Sequence, residues 1–132
     1  MTELTIVRHL RSNPERVWRA FTTAQELAAW LWPEAWGATT EIDLRVGGRF
    51  RIASSRVSLS GEYVVIEENE RLVTTWKWDD DEAETLVTYT FEPHEGGTLL
   101  RIVHERFETP DDRDSHEQGW NDCLDRLPAY LS

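Results

Sequence analysis

Hydrophobic and polar residues alternate through most of the chain, which is the pattern of β-strands with one buried face. One such segment spans residues 4–10, and six more lie between Glu41 and Phe107. The links between these six are short, so none could hold the crossover helix that a parallel sheet requires. The pattern predicts an antiparallel meander of the segments EIDLRV, RFRIAS, SLSGEYVVIE, RLVTTWKW, TLVTYTFEP and TLLRIVHERF. The pair Gly47-Gly48 joins the first two and permits a turn or bulge with positive φ.

Helical spacing follows the first strand. Asn13 suits the N-cap of a helix and Pro14 its first position, where the missing proline N–H costs nothing. Val17, Trp18 and Phe21 then form a helical apolar stripe.

A second short helix is predicted at once afterwards, over LAAWL. Thr23 and Glu26 have the spacing of a capping box ahead of it, and Pro33 ends it. This region contains the segment WLWPEAWG, with three tryptophans in eight residues. We expect Trp30 to anchor the helix in the core. Trp32 and Trp36 lie beyond the helix end and could either pack in the core or form the rim of a cavity.

The last segment, from about Pro110, has the spacing of a long amphipathic helix. Pro128 falls one turn before its end, and we expect it to leave the Leu124 carbonyl without its helical donor and to bend the last turn. One face of this helix presents His116, Trp120, Cys123, Leu124, Leu127 and Leu131.

This order of elements predicts an α+β fold in a single domain over residues 1–132. An antiparallel sheet has one apolar face to cover, and only the C-terminal helix is long enough to cover it. We therefore expect a curved antiparallel sheet wrapped around the long C-terminal helix, with two short helices after the first strand.

Composition narrows the classes of function. The formal net charge of -11 argues against nucleic acid and anionic membranes, because both attract clustered Lys and Arg. The chain has no apolar run that would form a signal peptide or membrane span, and one cysteine, so we expect a cytoplasmic protein. The four histidines show no zinc spacing, and the acidic segment DDDEAE, residues 79–84, lacks the alternating ligands of a calcium loop. We expect no metal and no cofactor.

Several segments together resemble a known family. ERVWRAFTTAQELAAWLWP, RVGGRFR, SGEY, ENERLVTTWKW, GGTLLRIVHERF and GWNDCLDRL occur in the order typical of the helix-grip fold of START-related and pollen-allergen-like proteins. Within that superfamily the chain is similar to the branch named after the activator of heat shock protein 90 ATPase. The resemblance implies the helix-grip fold and an interior that often holds a ligand. It does not specify an activity, because the superfamily includes carriers, cyclases and chaperone cofactors.

Strand and helix periodicity select the residues that face this interior. Large aromatic rings from opposed elements cannot easily fill a core to crystal-like density, so we expect a pocket among them. The candidate ligand-binding residues are Trp32, Trp36, Phe50, Tyr63, Trp76, Trp78, Tyr89, Phe91, His104, His116, Trp120, Cys123 and Leu124. No catalytic residue is predicted.

His104 is the most informative polar residue in this set, because it points inward from a strand in apolar surroundings. We favour a hydrogen-bonded core histidine over a ligand donor or general base, and the same applies to His116. Tyr63 and Tyr89 could offer hydroxyl groups to a ligand or to the backbone. Cys123, on an apolar helical face, is expected to be inert.

Three hypotheses follow, in order of preference. The first is a module that binds a small, largely hydrophobic or aromatic molecule between sheet and C-terminal helix. The second is an enzyme of the cyclase, dehydratase or hydrolase type, using His104 with Tyr63 or Tyr89 in the same cavity. The third is a chaperone-regulating or other protein-interaction module, with a chaperone partner or a second copy of the chain.

Overall fold

The computed structural model describes residues 2–132 and confirms the α+β helix-grip fold. In chain order the elements are β1 (Thr2–Leu10), α1 (Pro14–Thr22), α2 (Ala24–Trp30), a short 3-10 helix (Glu34–Trp36), β2 (Thr39–Ile42), β3 (Arg49–Ala53), β4 (Ser58–Glu67), β5 (Arg71–Trp78), β6 (Thr85–His94), β7 (Gly97–Phe107) and α3 (Pro110–Leu131).

The strands of this part of the chain form one sheet in the order β1-β7-β6-β5-β4-β3-β2, and every neighbouring pair is antiparallel. The meander from β2 to β7 is as predicted. β1 joins it beside β7, so that Ile6 pairs with Ile102. The apolar face of the sheet is covered by the helices, and α3 buries Trp120, Cys123 and Leu124 there.

The start of α1 follows the prediction. The Asn13 side chain accepts a hydrogen bond from the Arg16 backbone N–H at 2.8 Å, and Pro14 occupies the first turn. Val17, Trp18 and Phe21 are buried.

The predicted capping box at α2 is wrong. Thr23 is the N-cap residue, but its side chain makes no capping bond to any residue from 2 to 132. The Glu26 carboxylate instead accepts hydrogen bonds from Arg16 at 2.6 Å, Arg19 at 2.9 Å and Tyr130 at 2.9 Å. Bonds to charged donors are stronger than one neutral capping bond, so Glu26 joins α1, α2 and α3 rather than closing a capping box.

The second strand is shorter than the predicted EIDLRV and begins earlier, at Thr39. The chain leaves the sheet after Ile42 because Asp43 accepts the Arg45 N–H at 2.9 Å, and the Arg45 carbonyl accepts the Gly48 N–H at 2.8 Å. The glycine turn itself is as predicted, with Gly47 at φ 85°.

Pro128 does not end the last helix, since α3 continues to Leu131. Its ring lies on the exposed side of α3. The Pro128 carbonyl still accepts the Ser132 N–H at 3.1 Å, so the final turn keeps helical bonding after the proline.

Candidate functional site

A cleft of about 670 Å³ opens between the end of β5, the segment after α2 and the middle of α3. That volume lies in the range of small-molecule sites. Its lining comprises Trp32, Pro33, Trp36, Val57, Trp76, Trp78, Ser115, His116, Gly119, Trp120, Asp122, Cys123, Asp125 and Arg126.

Tryptophans form most of the apolar wall. The ring centroids of Trp32 and Trp36 are 5.9 Å apart, and those of Trp32 and Trp78 are 6.3 Å apart with an interplanar angle of 18°. Trp76 lies 5.7 Å from Trp78 and 5.2 Å from Trp120. Five indoles from three parts of the chain therefore form one continuous aromatic surface.

Local structure explains how these rings come together. The alternation of β5 places Trp76 and Trp78 on the same face of the sheet. Trp30 is 1% exposed, and its indole N–H donates to the Ala20 carbonyl at 2.9 Å, which anchors α2 as expected. The chain after it places both Trp32, which is buried, and Trp36, which is half-buried, on the cleft. Core packing and a place at the rim of the cavity are thus compatible, because Trp32 and Trp36 pack against each other and also line the cleft.

His104 lies behind this wall, fully buried. The Trp120 indole N–H donates to His104 Nδ1 at 3.0 Å, so Nδ1 is an acceptor and the ring proton sits on Nε2. Nε2–H then donates to the Thr85 hydroxyl at 2.6 Å, and that hydroxyl donates to the Trp76 carbonyl at 3.1 Å. Each donor in this chain of bonds has an acceptor.

This network agrees with the favoured interpretation of His104 as a hydrogen-bonded core histidine, but it corrects the inclusion of His104 among the ligand-binding candidates. It does not line the cleft, and both of its ring nitrogens are occupied by protein groups, so neither is available to a ligand. Burial, with a smaller contribution from His116, lowers its pKa to about 2. The ring is neutral at physiological pH, as a hydrogen-bonded core histidine is.

The remaining predicted residues that do not reach the cleft are also core residues. Phe50, Tyr63 and Tyr89 border a separate void of about 20 Å³. Burial raises the pKa of both tyrosine hydroxyls well above the ordinary value. Phe91 packs against Trp18 and Phe21, and Leu124 is 1% exposed. These side chains support the wall rather than form it.

The predicted residues that do line the cleft are Trp32, Trp36, Trp76, Trp78, His116, Trp120 and Cys123. The last of these is a buried thiol, and burial raises its pKa to about 11, so it is protonated and a poor nucleophile. Over residues 2–132, no three His, Cys, Asp or Glu side chains come together as a metal site would require.

His116 borders the cleft from α3 in a fixed orientation. Its Nδ1 donates to the Asp112 carbonyl at 2.7 Å, so its Nε2 is free to accept the Trp78 indole N–H at 2.8 Å. The ring is uncharged while it makes this pair of bonds. It holds Trp78 against α3 and presents an edge to the cleft.

Sequence reasoning missed the polar side of the cleft. Ser115, Gly119, Asp122 and Arg126 follow one another at three- and four-residue spacing along α3. This row lies next to the apolar stripe of the helix. A search for buried apolar positions does not select it, because most of its residues are polar. The same spacing rule, applied to the border of the stripe, would have found it.

Comparison with known proteins supports this fold and its family. The family model of Activator of Hsp90 ATPase homolog 1-like proteins matches residues 11–132. No curated protein matches this chain. In the described region no helix is both long and apolar enough to cross a membrane.

Solved structures share the fold over nearly their whole length. Protein CV1439 from Chromobacterium violaceum is 30% identical, with a TM-score of 0.81 and coverage of 98% of this chain and 96% of that chain. A protein from Rhodobacter sphaeroides is 30% identical, with a TM-score of 0.87 and coverage of 98% and 92%. An HSP90 activator from Plasmodium falciparum is 24% identical, with a TM-score of 0.83 and coverage of 99% and 96%, and at that identity the likeness concerns the fold alone.

Proposed function

The chain belongs to the family of Activator of Hsp90 ATPase homolog 1-like proteins, and from that premise we propose that it binds a small, largely hydrophobic or aromatic molecule in the tryptophan-lined cleft. The observation that carries the proposal is the convergence of five indoles on one cavity of about 670 Å³. Aromatic and apolar walls with a few polar groups are typical of small-molecule sites.

The energetics favour a flat apolar ligand. Each Å² of apolar surface removed from water contributes about 25 cal/mol, so a two-ring ligand burying roughly 200 Å² gains about 5 kcal/mol before the entropy of association is subtracted. Favourable ring–ring geometry adds about 0.5–1.5 kcal/mol for each aromatic pair. Micromolar affinity corresponds to a net gain of about 8 kcal/mol, so it requires a ligand that buries more apolar area than this and pairs with several indoles.

Binding is a better proposal than catalysis because the residues on which the enzyme hypothesis relies, and the Cys123 thiol, are not poised to react. His104 is enclosed, the Cys123 thiol is protonated, and burial opposes ionisation of Tyr63 and Tyr89. A general acid or base must reach its substrate and titrate near working pH. His104, Tyr63, Tyr89 and Cys123 therefore fail these requirements, which favours binding over catalysis as the proposal.

The test is a titration with an uncharged apolar fluorophore, N-phenyl-1-naphthylamine, followed by both probe emission and protein tryptophan emission. We expect a saturable change with one site per chain. A linear, unsaturable response over the soluble range of the probe would contradict the proposal.

Gly119 provides a matched pair of variants for this experiment. A Cβ added there meets no heavy atom within 4 Å, and the residue lines the cleft. The Gly119→Leu side chain should project into the cleft, reduce its volume and weaken probe binding at least tenfold, whereas Gly119→Ala should leave binding nearly unchanged. Equal binding by the two variants would place the probe elsewhere.

A chaperone-regulating role is the second candidate, favoured by the family to which the chain belongs. Stimulation of the ATPase of purified Hsp90 by this protein, and loss of that stimulation in Trp36→Ala, would support it. An ATPase rate unchanged at saturating protein would count against it. Homodimer formation stays a prediction, which sedimentation analysis would decide.

A further inference from the structure

We propose that Arg126 makes the cleft selective for ligands with a carboxylate group, so that the preferred ligand class is an aromatic or polycyclic acid. This inference rests on the proposed binding function and specifies its chemistry. It is carried by the way in which the guanidinium group is held and by the charges around it.

The orientation of Arg126 is fixed by the end of α2. Its Nε donates to the Trp30 carbonyl at 3.2 Å, and its Nη2 donates to the Leu31 carbonyl at 2.7 Å. These carbonyls lie at the C-terminal end of α2, where the helix dipole attracts a cation. One edge of the guanidinium group is therefore committed to the backbone.

Apart from these two bonds, Arg126 donates to no oxygen within residues 2–132; the Cys123 thiol lies beside the guanidinium, which partly offsets the rise that burial causes in the pKa of the thiol. An arginine has five N–H donors, so two bonds leave three, on Nη1 and Nη2. This end-on edge is a planar fork that matches the two oxygens of a carboxylate. Because the first two bonds hold the plane in place, little side-chain entropy is lost when a ligand binds the second edge.

Arg126 also lacks a carboxylate partner. Among residues 2–132, no Asp or Glu oxygen lies within 4.0 Å of its guanidinium nitrogens. Arg113 and Glu117 are four residues apart on α3 and form an ion pair at 3.0 Å. Asp122 and Arg126 have the same spacing but form no ion pair. Arg126 is thus half-buried beside the aromatic wall, and no acidic side chain within residues 2–132 pairs with its charge.

The other ionisable groups on the cleft do not cancel this charge. Asp125 is paired with Arg8 at 3.0 Å. Asp122 is exposed, so water and salt screen it. His116 is uncharged while it accepts the Trp78 indole N–H. The half-buried Arg126 is therefore screened less by water and salt than the exposed carboxylates on the cleft, even though the chain as a whole is acidic.

The experiment compares three probes with the same ring system: 2-naphthoate, 2-naphthamide and protonated 2-naphthylmethylamine. For the wild-type protein we expect naphthoate to bind at least tenfold more tightly than naphthamide, as a charge-assisted hydrogen-bonded pair implies. In Arg126→Gln the ratio of the two dissociation constants should fall to within about twofold. Arg126→Lys, which keeps the charge but loses the fork, should give an intermediate ratio.

Arg101→Gln is the matched control, because it removes the same charge from an exposed position on β7 outside the cleft. It should leave the ratio unchanged. The affinity for naphthamide and the thermal midpoint show whether Arg126→Gln keeps its fold, and if that variant unfolds, Arg126→Lys decides by its ratio.

The outcomes separate the two proposals. If none of the three probes binds saturably, the proposed function itself fails. If all three bind with equal affinity, or if the ratio survives in Arg126→Gln and Arg126→Lys, only the assignment to Arg126 is overturned. Tightest binding by the amine would also overturn the assignment, because the indoles and the cleft carboxylates would then select a cation instead.

Discussion

The Trp120 indole N–H donates to Nδ1 of His104 at 3.0 Å, which connects the wall of the cleft to the core behind it. Trp120 thereby uses its polar atom inside the protein and presents only apolar surface to the cleft. Trp78 does the same through His116. Two histidines thus act as acceptors that orient two tryptophans.

Replacing His104 should destabilise the fold. His104→Leu leaves the Trp120 indole N–H without an acceptor in a buried site, which costs about 1–3 kcal/mol. Urea denaturation measures the change in free energy of unfolding. His9→Leu is the control, since His9 is bonded to the His94 carbonyl at an exposed position and should shift stability by less than about 0.5 kcal/mol. Equal effects of the two substitutions would disprove the role of the network.

His104 should also make stability depend on pH. Its pKa is lowered to about 2 in the folded protein, mainly by burial, from an ordinary value of 6.5. Below pH 6.5 the unfolded chain takes up a proton there that the folded chain does not, so stability falls as pH falls. The expected loss is about 1.4 kcal/mol per pH unit in that window.

His104→Asn removes this titration while it keeps an acceptor for Trp120. The difference in unfolding free energy between wild type and His104→Asn should therefore narrow as the pH is lowered from about 7 to about 5. Urea titrations at several pH values would measure it. A constant difference over that range would contradict the prediction.

Glu26 should contribute more to stability than other acidic residues. It accepts bonds from Arg16, Arg19 and Tyr130, and its side chain is only 17% exposed. Glu26→Ala should reduce the free energy of unfolding by about 1–3 kcal/mol, because three donors lose their partner. Glu68→Ala, at an exposed turn, should change it by less than about 0.5 kcal/mol. Chemical denaturation of the two variants in parallel would show whether the difference exists.

Two glycines should respond in opposite ways to alanine. A Cβ at Gly61 would lie 2.1 Å from the Thr75 carbonyl oxygen, so Gly61→Ala should cost more than about 2 kcal/mol. Gly119 is helical with open space around it, so Gly119→Ala should stabilise the protein by about 0.5–1 kcal/mol. Thermal unfolding of both variants checks the sign of each effect, and a change of the same sign in both would be inconsistent with the described packing.

Much of the fold could be predicted because it depends on local periodicity. The alternation of β5, β6 and β7 fixes which side chains face the core, and the spacing of α3 fixes its buried stripe. The family resemblance was confirmed by a family model that matches residues 11–132. The end of β2 was mispredicted because turn bonds around Asp43 outweigh the apolar pattern that follows Ile42.

The site was only partly predictable. Inward-facing aromatic residues could be identified, but periodicity cannot tell those that border the cavity from those packed behind them. That distinction depends on long-range pairs such as His104 with Trp120, and Arg126 with the Leu31 carbonyl. Glu26 accepts hydrogen bonds from residues on other helices and does not complete the local capping motif.

The position of β1 beside β7 also has a consequence for synthesis of the protein. Thr5 pairs with Val103, so the first strand has no partner in the sheet until β7 has been synthesised and has left the ribosome. Contacts between such distant segments form slowly, because the entropy of closing a long loop is lost before the contacts contribute any favourable free energy. The cleft needs α3 as well, so the recognition surface forms only after the chain has been synthesised through Arg126, and a shorter nascent fragment lacks part of the site.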